Sequence, residues 1–168
     1  MTYGGRTASG RVIEVCDECG FDTRRVADEA RAFGTVYAEL AALVAESAEP
    51  DRRPEPDVFS ASEYIAHCLE ATATLLSYIA EARALPPPKV TSLQTAADLT
   101  AHHSTSLSPA ERALVLTDKY PEPASVDWIL THLLHDMTHH TLDIRRGYAR
   151  NALRDLPNIW TTERDRPH

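Results

Sequence analysis

One helix-forming stretch, residues 125–150, constrains this chain more than any other part of its sequence. It carries four of the eight histidines along about six helical turns, and neither proline nor glycine interrupts it before Gly147. Ser125 is a favourable N-cap, and Asp127 suits the positive end of the helix dipole. So many imidazole and carboxylate groups on one amphipathic helix indicate a chemical site, and the residues concerned are His132, His135, Asp136, His139, His140 and Asp143.

The composition limits the classes of function that this chain can have. Its 168 residues are enough for one domain with a buried core, and no apolar run reaches the roughly 18 residues of a membrane span. The formal net charge of −8 and the lack of a basic cluster argue against nucleic-acid binding. Because the N-terminus lacks the apolar core of a secretory signal, the expected location is the cytoplasm. Homodimer formation through exposed helix faces is left open.

Periodicity predicts an all-α fold, because no segment shows convincing strand alternation. Asp22 or Thr23 can cap the first helix, and capping signals at Ser60 and Ser108 mark later helix starts. The third arm is predicted to be broken in two, with one part ending near His103. The four predicted arms cover approximately residues 23–45, 60–85, 91–117 and 125–150.

The predicted organisation has three parts. An N-terminal extension with a C-x-x-C motif covers residues 1–21, the helical bundle covers 22–155, and a loosely docked tail covers 156–168. Three cysteines are too few for a disulfide framework.

The C-x-x-C-G formed by Cys16 and Cys19 has the shape of one zinc knuckle, which needs two further ligands. His102 and His103 are the candidates considered for them, although their position near a helix end favours a capping or exposed role. A redox pair is an equal alternative, although no βαβ pattern surrounds it. The favoured interpretation is a small turn that packs Phe21 against the helices.

A helical wheel separates the histidines of the last helix. At about 100° per residue, Asp136, His140 and Asp143 fall on or beside the core-facing side, whereas His135 and His139 fall farther out and should face solvent or a lid. Metal sites in helical bundles use side chains that project inward, so Asp136 and His140 are the better ligands. The alternative is an internal hydrogen bond on one helix. Such a hydrogen bond explains neither the free-energy cost of turning the Asp136 carboxylate inward nor the presence of a second acid, Asp143, on the same side of the helix.

Two segments, FSASEYIAH at 59–67 and HDMTHHTLDI at 135–144, together resemble the DinB/YfiT-like metalloenzyme superfamily. That group includes mycothiol-dependent maleylpyruvate isomerases and bacterial thiol S-transferases. The resemblance covers roughly residues 22–150 and implies a four-helix bundle that binds one divalent metal. By position, the implied ligands are His67, Asp136 and His140, and Asp143 occupies the place of the residue that supports the last ligand.

This chain departs from the family pattern in two respects. Asp136 stands where His or Glu is commoner, which shortens the reach to the metal and hardens the site. The third arm is shorter than the family's helix. Both departures bear on the choice of metal and substrate.

The resemblance implies that the metal activates a low-molecular-weight thiol such as mycothiol, in an S-transferase or isomerase acting on a small electrophile. Two nitrogen ligands and one oxygen permit Zn²⁺, Ni²⁺, Fe²⁺ or Mn²⁺, with Zn²⁺ the first choice. Asp143 can fix the tautomer of His140, and His139 or His135 can shuttle protons, so Asp143 and His139 are the catalytic candidates. Metal-dependent hydrolysis and a non-catalytic ligand-binding bundle are the alternatives.

Overall fold

The computed structural model describes residues 2–6, 12–119 and 123–156. Most of this part of the chain is helical, as an all-α fold requires, and none of its helices is both long and apolar enough to cross a membrane. Apart from Leu156, the predicted tail lies outside the described residues. The helices are α1 (Glu29–Ala45), α2 (Ala61–Ala82), α3 (Leu93–Ser106), α4 (Pro109–Arg112) and α5 (Val126–Asp155).

Side-chain caps set the starts of these helices. Ser60, Ser92 and Ser108 each accept a hydrogen bond from the backbone N–H three residues later, within a capping box. The predicted start of the first helix is wrong by several residues, because Asp22 caps a separate 3₁₀ turn (Thr23–Arg25) and Asp28 caps α1 itself.

The third arm also differs from its prediction. Helix α3 continues past His103 to Ser106, whereas α4 makes one turn and does not extend to the predicted end at Thr117. The chain leaves α4 for a short strand, and backbone pairing there replaces further helix.

The described residues also form short strands, which the sequence pattern does not indicate. Strands β1 (Thr2–Arg6) and β2 (Val12–Cys16) form an antiparallel hairpin, and β3 (Val115–Leu116) pairs with β4 (Ala124–Ser125). The face of β2 that carries Val12, Glu14 and Cys16 is buried. A carboxylate in the middle of that face removes the hydrophobic alternation by which a strand is recognised.

Helix α5 is the central element of the core. Helices α1 and α2 pack on it, α1 also packs on α3, and β2 contacts its N-terminal half. The hydroxyls of Tyr37 and Thr72 satisfy each other inside the core at 2.7 Å. Each large apolar side chain buried there contributes about 1.5–3 kcal/mol, and the fully buried ones include Phe33, Leu40, Leu76, Ile79, Ile129, Leu130, Leu133, Met137 and Ile144.

Candidate metal centres

The structure brings His67 of α2 together with Asp136 and His140 of α5. Each offers a ligand atom, and these atoms all lie within 4.8 Å of one another. The Nε2 of His140 is 3.4 Å from the Asp136 Oδ1, and the His67 and His140 rings meet edge to face with their centroids 5.0 Å apart. We call these three residues the α2–α5 triad. Their donor set of two imidazoles and one carboxylate fits a divalent metal.

The orientation of the His140 ring is fixed by Asp143. The Nδ1–H of His140 donates to the Asp143 Oδ2 at 3.0 Å. Burial raises the pKa of Asp143, but the hydrogen bond from His140 and the charges of His139, His140 and Arg146 together outweigh it and hold that pKa below its usual range. The other ring nitrogen, Nε2, is buried and has no hydrogen-bond partner among the described residues. A buried nitrogen of this kind is unfavourable unless something binds it.

A surface pocket of about 380 Å³ opens beside the triad, between α2 and α5. His67 and Asp136 line it directly, and His67 remains accessible to solvent. The ring of Tyr64 also packs next to His140, with 5.1 Å between centroids. The remaining lining residues are Glu70, Ala71, Thr74, Leu75 and His132.

A second group of potential ligands lies where the N-terminal hairpin meets α5. Cys16, Cys19, His135 and His139 offer ligand atoms that all lie within 4.8 Å of one another. The Cys16 Sγ is 3.7 Å from the His139 Nδ1. The side chain of His139 keeps an exposed fraction of 26%, and its contact is with this group rather than with the lining of the pocket.

The histidine partners considered for the cysteines from the sequence alone were the wrong ones. His102 and His103 lie on α3, where their ring centroids are 5.9 Å apart. His103 is also buried rather than exposed, and this burial lowers the pKa of its ring.

Of the two environments predicted for His135, exposure to solvent is wrong. The residue is 6% exposed, because Phe21 stacks on its ring with 5.0 Å between centroids and β2 covers the same face of α5. Phe21 itself is buried, in agreement with the sequence-based interpretation. A helical wheel identifies the side that faces away from one core, but it does not show that another segment covers that side.

Glu14 is a site residue that the sequence did not reveal. Its Oε1 accepts hydrogen bonds from the Nδ1–H of His135 at 2.8 Å and of His132 at 3.1 Å. Burial alone raises the pKa of Glu14, but the two imidazoles outweigh it and lower that pKa to about 2. Burial lowers the pKa of His135, whereas Glu14 and Cys16 raise it, and the net shift is upward. The His135 Nε2 is buried and lacks a hydrogen-bond partner in the described part of the chain.

The two cysteines of the knuckle differ in acidity. Burial raises the pKa of Cys16, but backbone N–H groups of Cys19 and Glu18, together with the two histidines, outweigh it and lower the pKa to about 6. Burial and the neighbouring Cys16 raise the pKa of Cys19 to about 11.

No protein-family model matches the sequence, and no curated protein matches it. A solved structure, described as the conserved protein of locus from Enterococcus faecalis, has a similar fold, with a TM-score of 0.57. The match covers 76% of this chain and 95% of that chain at 14% sequence identity. At this identity the likeness shows a shared fold alone.

Proposed function

We propose that this chain is a metal-dependent enzyme of the DinB/YfiT-like type, a four-helix bundle built from α1, α2, α3 and α5. In this proposal His67, Asp136 and His140 hold one divalent cation. The observation that carries it is the arrangement around His140, whose Nδ1–H donates to Asp143 while its buried Nε2 has no hydrogen-bond partner among the described residues. Metal-binding histidines almost always donate their other ring N–H to a carboxylate, a carbonyl or water in this way.

The number and type of ligands favour a catalytic site over a structural one. Three protein ligands beside an open pocket leave coordination positions for other molecules, whereas structural zinc sites use four protein ligands. Zn²⁺ is the first choice for two imidazoles and a carboxylate, and Ni²⁺, Fe²⁺ or Mn²⁺ are compatible. A cation held here supplies Lewis acidity, which lowers the pKa of a thiol or water that binds to it.

The pocket supports a small-molecule reaction. Its volume of about 380 Å³ suits a low-molecular-weight thiol, such as mycothiol, or a small electrophilic substrate. Glu70 and Thr74 supply polar groups along one wall, and Leu75 supplies an apolar surface. We therefore propose thiol-dependent S-transfer or isomerisation as the reaction class.

Two of the chain's own residues have clear roles in this proposal. Asp143 orients His140 and fixes its tautomer. His132 lines the pocket, and its Nδ1–H donates to Glu14, which leaves the Nε2 available to accept a proton. His139, the proton shuttle suggested by the sequence, contacts Cys16 and is not among the residues that line this pocket.

The test is the metal content and thiol-dependent turnover of untagged, full-length protein. We expect His67→Ala to lose the triad metal and to lower turnover of an activated aryl halide with added thiol by more than about a hundredfold. His102→Ala is the matched control, because His102 is exposed on α3 and belongs to neither ligand group. Full metal content and full turnover in His67→Ala would contradict the proposal.

The dependence on thiol separates the proposed reaction from its alternative. Thioether formation, detected by mass spectrometry and proportional to the added thiol, supports S-transfer. Release of product at an unchanged rate without thiol instead shows hydrolysis at the same metal. Failure to bind any cation at the triad would leave a ligand-binding bundle.

A further inference from the structure

We infer that Cys16, Cys19, His135 and His139 form a second, structural zinc site, which fastens the N-terminal hairpin to α5. We call these four residues the hairpin clasp. The inference does not depend on the proposed enzymatic function, because the clasp and the α2–α5 triad share no ligand.

The cysteines sit in a turn that suits a metal knuckle. The N–H of Cys16 donates to the Phe21 carbonyl at 2.9 Å, and the N–H of Gly20 donates to the Cys16 carbonyl at 3.0 Å. Gly20 has a φ of 74°, which is a left-handed conformation that glycine adopts without strain. This tight turn places both sulfur atoms on the side of the hairpin that contacts α5.

The two histidines complete the set from one face of α5. Residues four apart on a helix lie above one another, so His135 and His139 both reach the knuckle. For zinc bonded at about 2.3 Å to sulfur and about 2.0 Å to nitrogen, tetrahedral geometry places S and N about 3.5 Å apart. The distance of 3.7 Å from the Cys16 Sγ to the His139 Nδ1 is close to this value.

In each of the two histidines, a carboxylate lies near the ring nitrogen that does not face the cysteines. Glu14 accepts from the Nδ1–H of His135 at 2.8 Å, and the Asp143 Oδ1 lies 3.8 Å from the His139 Nε2. The ring nitrogens that remain face the thiols. Carboxylates of this kind orient metal-binding histidines and increase their basicity.

The strongest sign of a ligand is the state of His135. The residue is 6% exposed, Cys16 is 3% exposed, and the His135 Nε2 has no hydrogen-bond partner within the described residues. An imidazole nitrogen that is buried beside two cysteine sulfur atoms without a hydrogen bond is unfavourable, and zinc coordination would satisfy it. Four protein ligands leave no open position, which is the arrangement of structural zinc.

A competing group of Glu14, His132 and His135 is also close enough to hold a metal. Its carboxylate Oε1, however, already accepts from the Nδ1 of both histidines at hydrogen-bond distances of 2.8 and 3.1 Å. The thiols are the softer ligands and suit zinc better. We therefore assign Glu14 the role of supporting His135.

The clasp accounts for how the hairpin stays in place. A two-stranded hairpin is marginally stable at best by itself, and β2 contacts α5 through polar groups along its length. The N–H of Val12 donates to Asp127 at 3.1 Å. Two residues farther along β2, Glu14 accepts from the Nδ1–H of His135 at 2.8 Å. A zinc ion at Cys16 would fix the end of the same strand, so metal binding and docking of the hairpin should be coupled.

The experiment is metal titration of untagged full-length protein with Zn²⁺ and Co²⁺. We expect about two ions per chain, one for each ligand group, and a thiolate-to-cobalt charge-transfer band in the near ultraviolet. The Cys16→Ser/Cys19→Ser variant should lose one ion and this band. His67→Ala should lose the other ion and keep the band.

A measurement on the unaltered protein covers the case in which the double variant fails to fold. Alkylation mapped by mass spectrometry should be at least about tenfold slower at Cys16 and Cys19 with Zn²⁺ than after chelation. Buried Cys68 is the internal control, because it belongs to neither ligand group. Equal alkylation with and without Zn²⁺, or a cobalt protein without the thiolate band, would overturn the inference, as would a Cys16–Cys19 disulfide that survives Zn²⁺ under reducing conditions.

Discussion

The α2–α5 triad and the hairpin clasp use the same helix in two different ways. Each takes a pair of residues four apart on α5, Asp136 with His140 for the triad and His135 with His139 for the clasp. The pairs are offset by one residue, which turns them by about 100° around the helix axis. One pair therefore meets α2, and the other meets the hairpin.

The partner element decides the chemistry of each site. Helix α2 contributes one histidine next to a pocket, which gives three potential ligands beside open space. The hairpin contributes two cysteines beside the buried His135, which gives four potential ligands. Ligand number and access, more than the histidines themselves, distinguish a catalytic metal from a structural one.

The largest expected effect is the loss of turnover when one ligand of the α2–α5 triad is removed. His140→Ala should lower thiol-dependent turnover by more than about a hundredfold, because it removes a proposed metal ligand. The loss of a residue that only supports a ligand already lowers metal affinity or activity about 10- to 100-fold. Backbone hydrogen exchange in β2 should stay slow in this variant, because the clasp is intact.

Cys19→Ser is the counterpart of that change. It should make exchange in residues 12–16 fast while the triad metal remains bound, as measured by metal content and by mass-resolved hydrogen exchange. Fast exchange in β2 of His140→Ala, with protection retained in Cys19→Ser, would reverse the roles given to the two sites.

A smaller effect is expected where the sites approach each other, at Asp143. Its Oδ2 accepts from His140 at 3.0 Å, whereas its Oδ1 is 3.8 Å from His139. Asp143→Asn should therefore weaken zinc at the triad about 10- to 100-fold, and zinc at the clasp by less than about tenfold. Competition with a chromophoric chelator measures both affinities, and Asp98→Asn on α3 is the control. Equal weakening of both sites would show that Asp143 supports them alike.

The smallest effect concerns Glu14 in metal-free protein. Glu14→Gln should lower the free energy of unfolding by about 1–3 kcal/mol, because it removes charged hydrogen bonds to His132 and His135. Urea denaturation at several pH values measures this difference.

The pH dependence of that loss follows from two opposite pKa shifts. The pKa of Glu14 is lowered from 4.5 to about 2, so its contribution is present above pH 4.5 and disappears as pH falls toward 2. The pKa of His135 is raised above 6.5, so its contribution is full below pH 6.5 and disappears as pH rises through the raised value. The destabilisation should therefore be greatest between about pH 4.5 and 6.5. A loss that is independent of pH would show that Glu14 acts through packing alone.

Much of the framework could be predicted from the sequence, because the signals are local. Capping boxes at Ser60 and Ser108 mark the starts of α2 and α4 as predicted, and Ser125 caps α5. The grouping of His67 with Asp136 and His140 came from spacing and family resemblance, and the structure places these residues together.

The parts that could not be predicted depend on contacts between distant segments. The strand character of β2 is hidden by Glu14, a carboxylate that is stable on a buried face because two histidines more than a hundred residues away donate to it. The cover over His135 comes from the same hairpin. Neither contact leaves a periodic signal within one segment.

The sequence by itself determined that α5 is a long capped helix with two interleaved pairs of potential ligands, because helix formation and spacing depend on neighbours within a few residues. Tertiary structure alone decided what those pairs meet. Docking of β2 buried His135 and joined it to Cys16, and packing of α2 brought His67 to His140. Burial and metal coordination depend on distances in space, and those distances are fixed only when separate elements pack together.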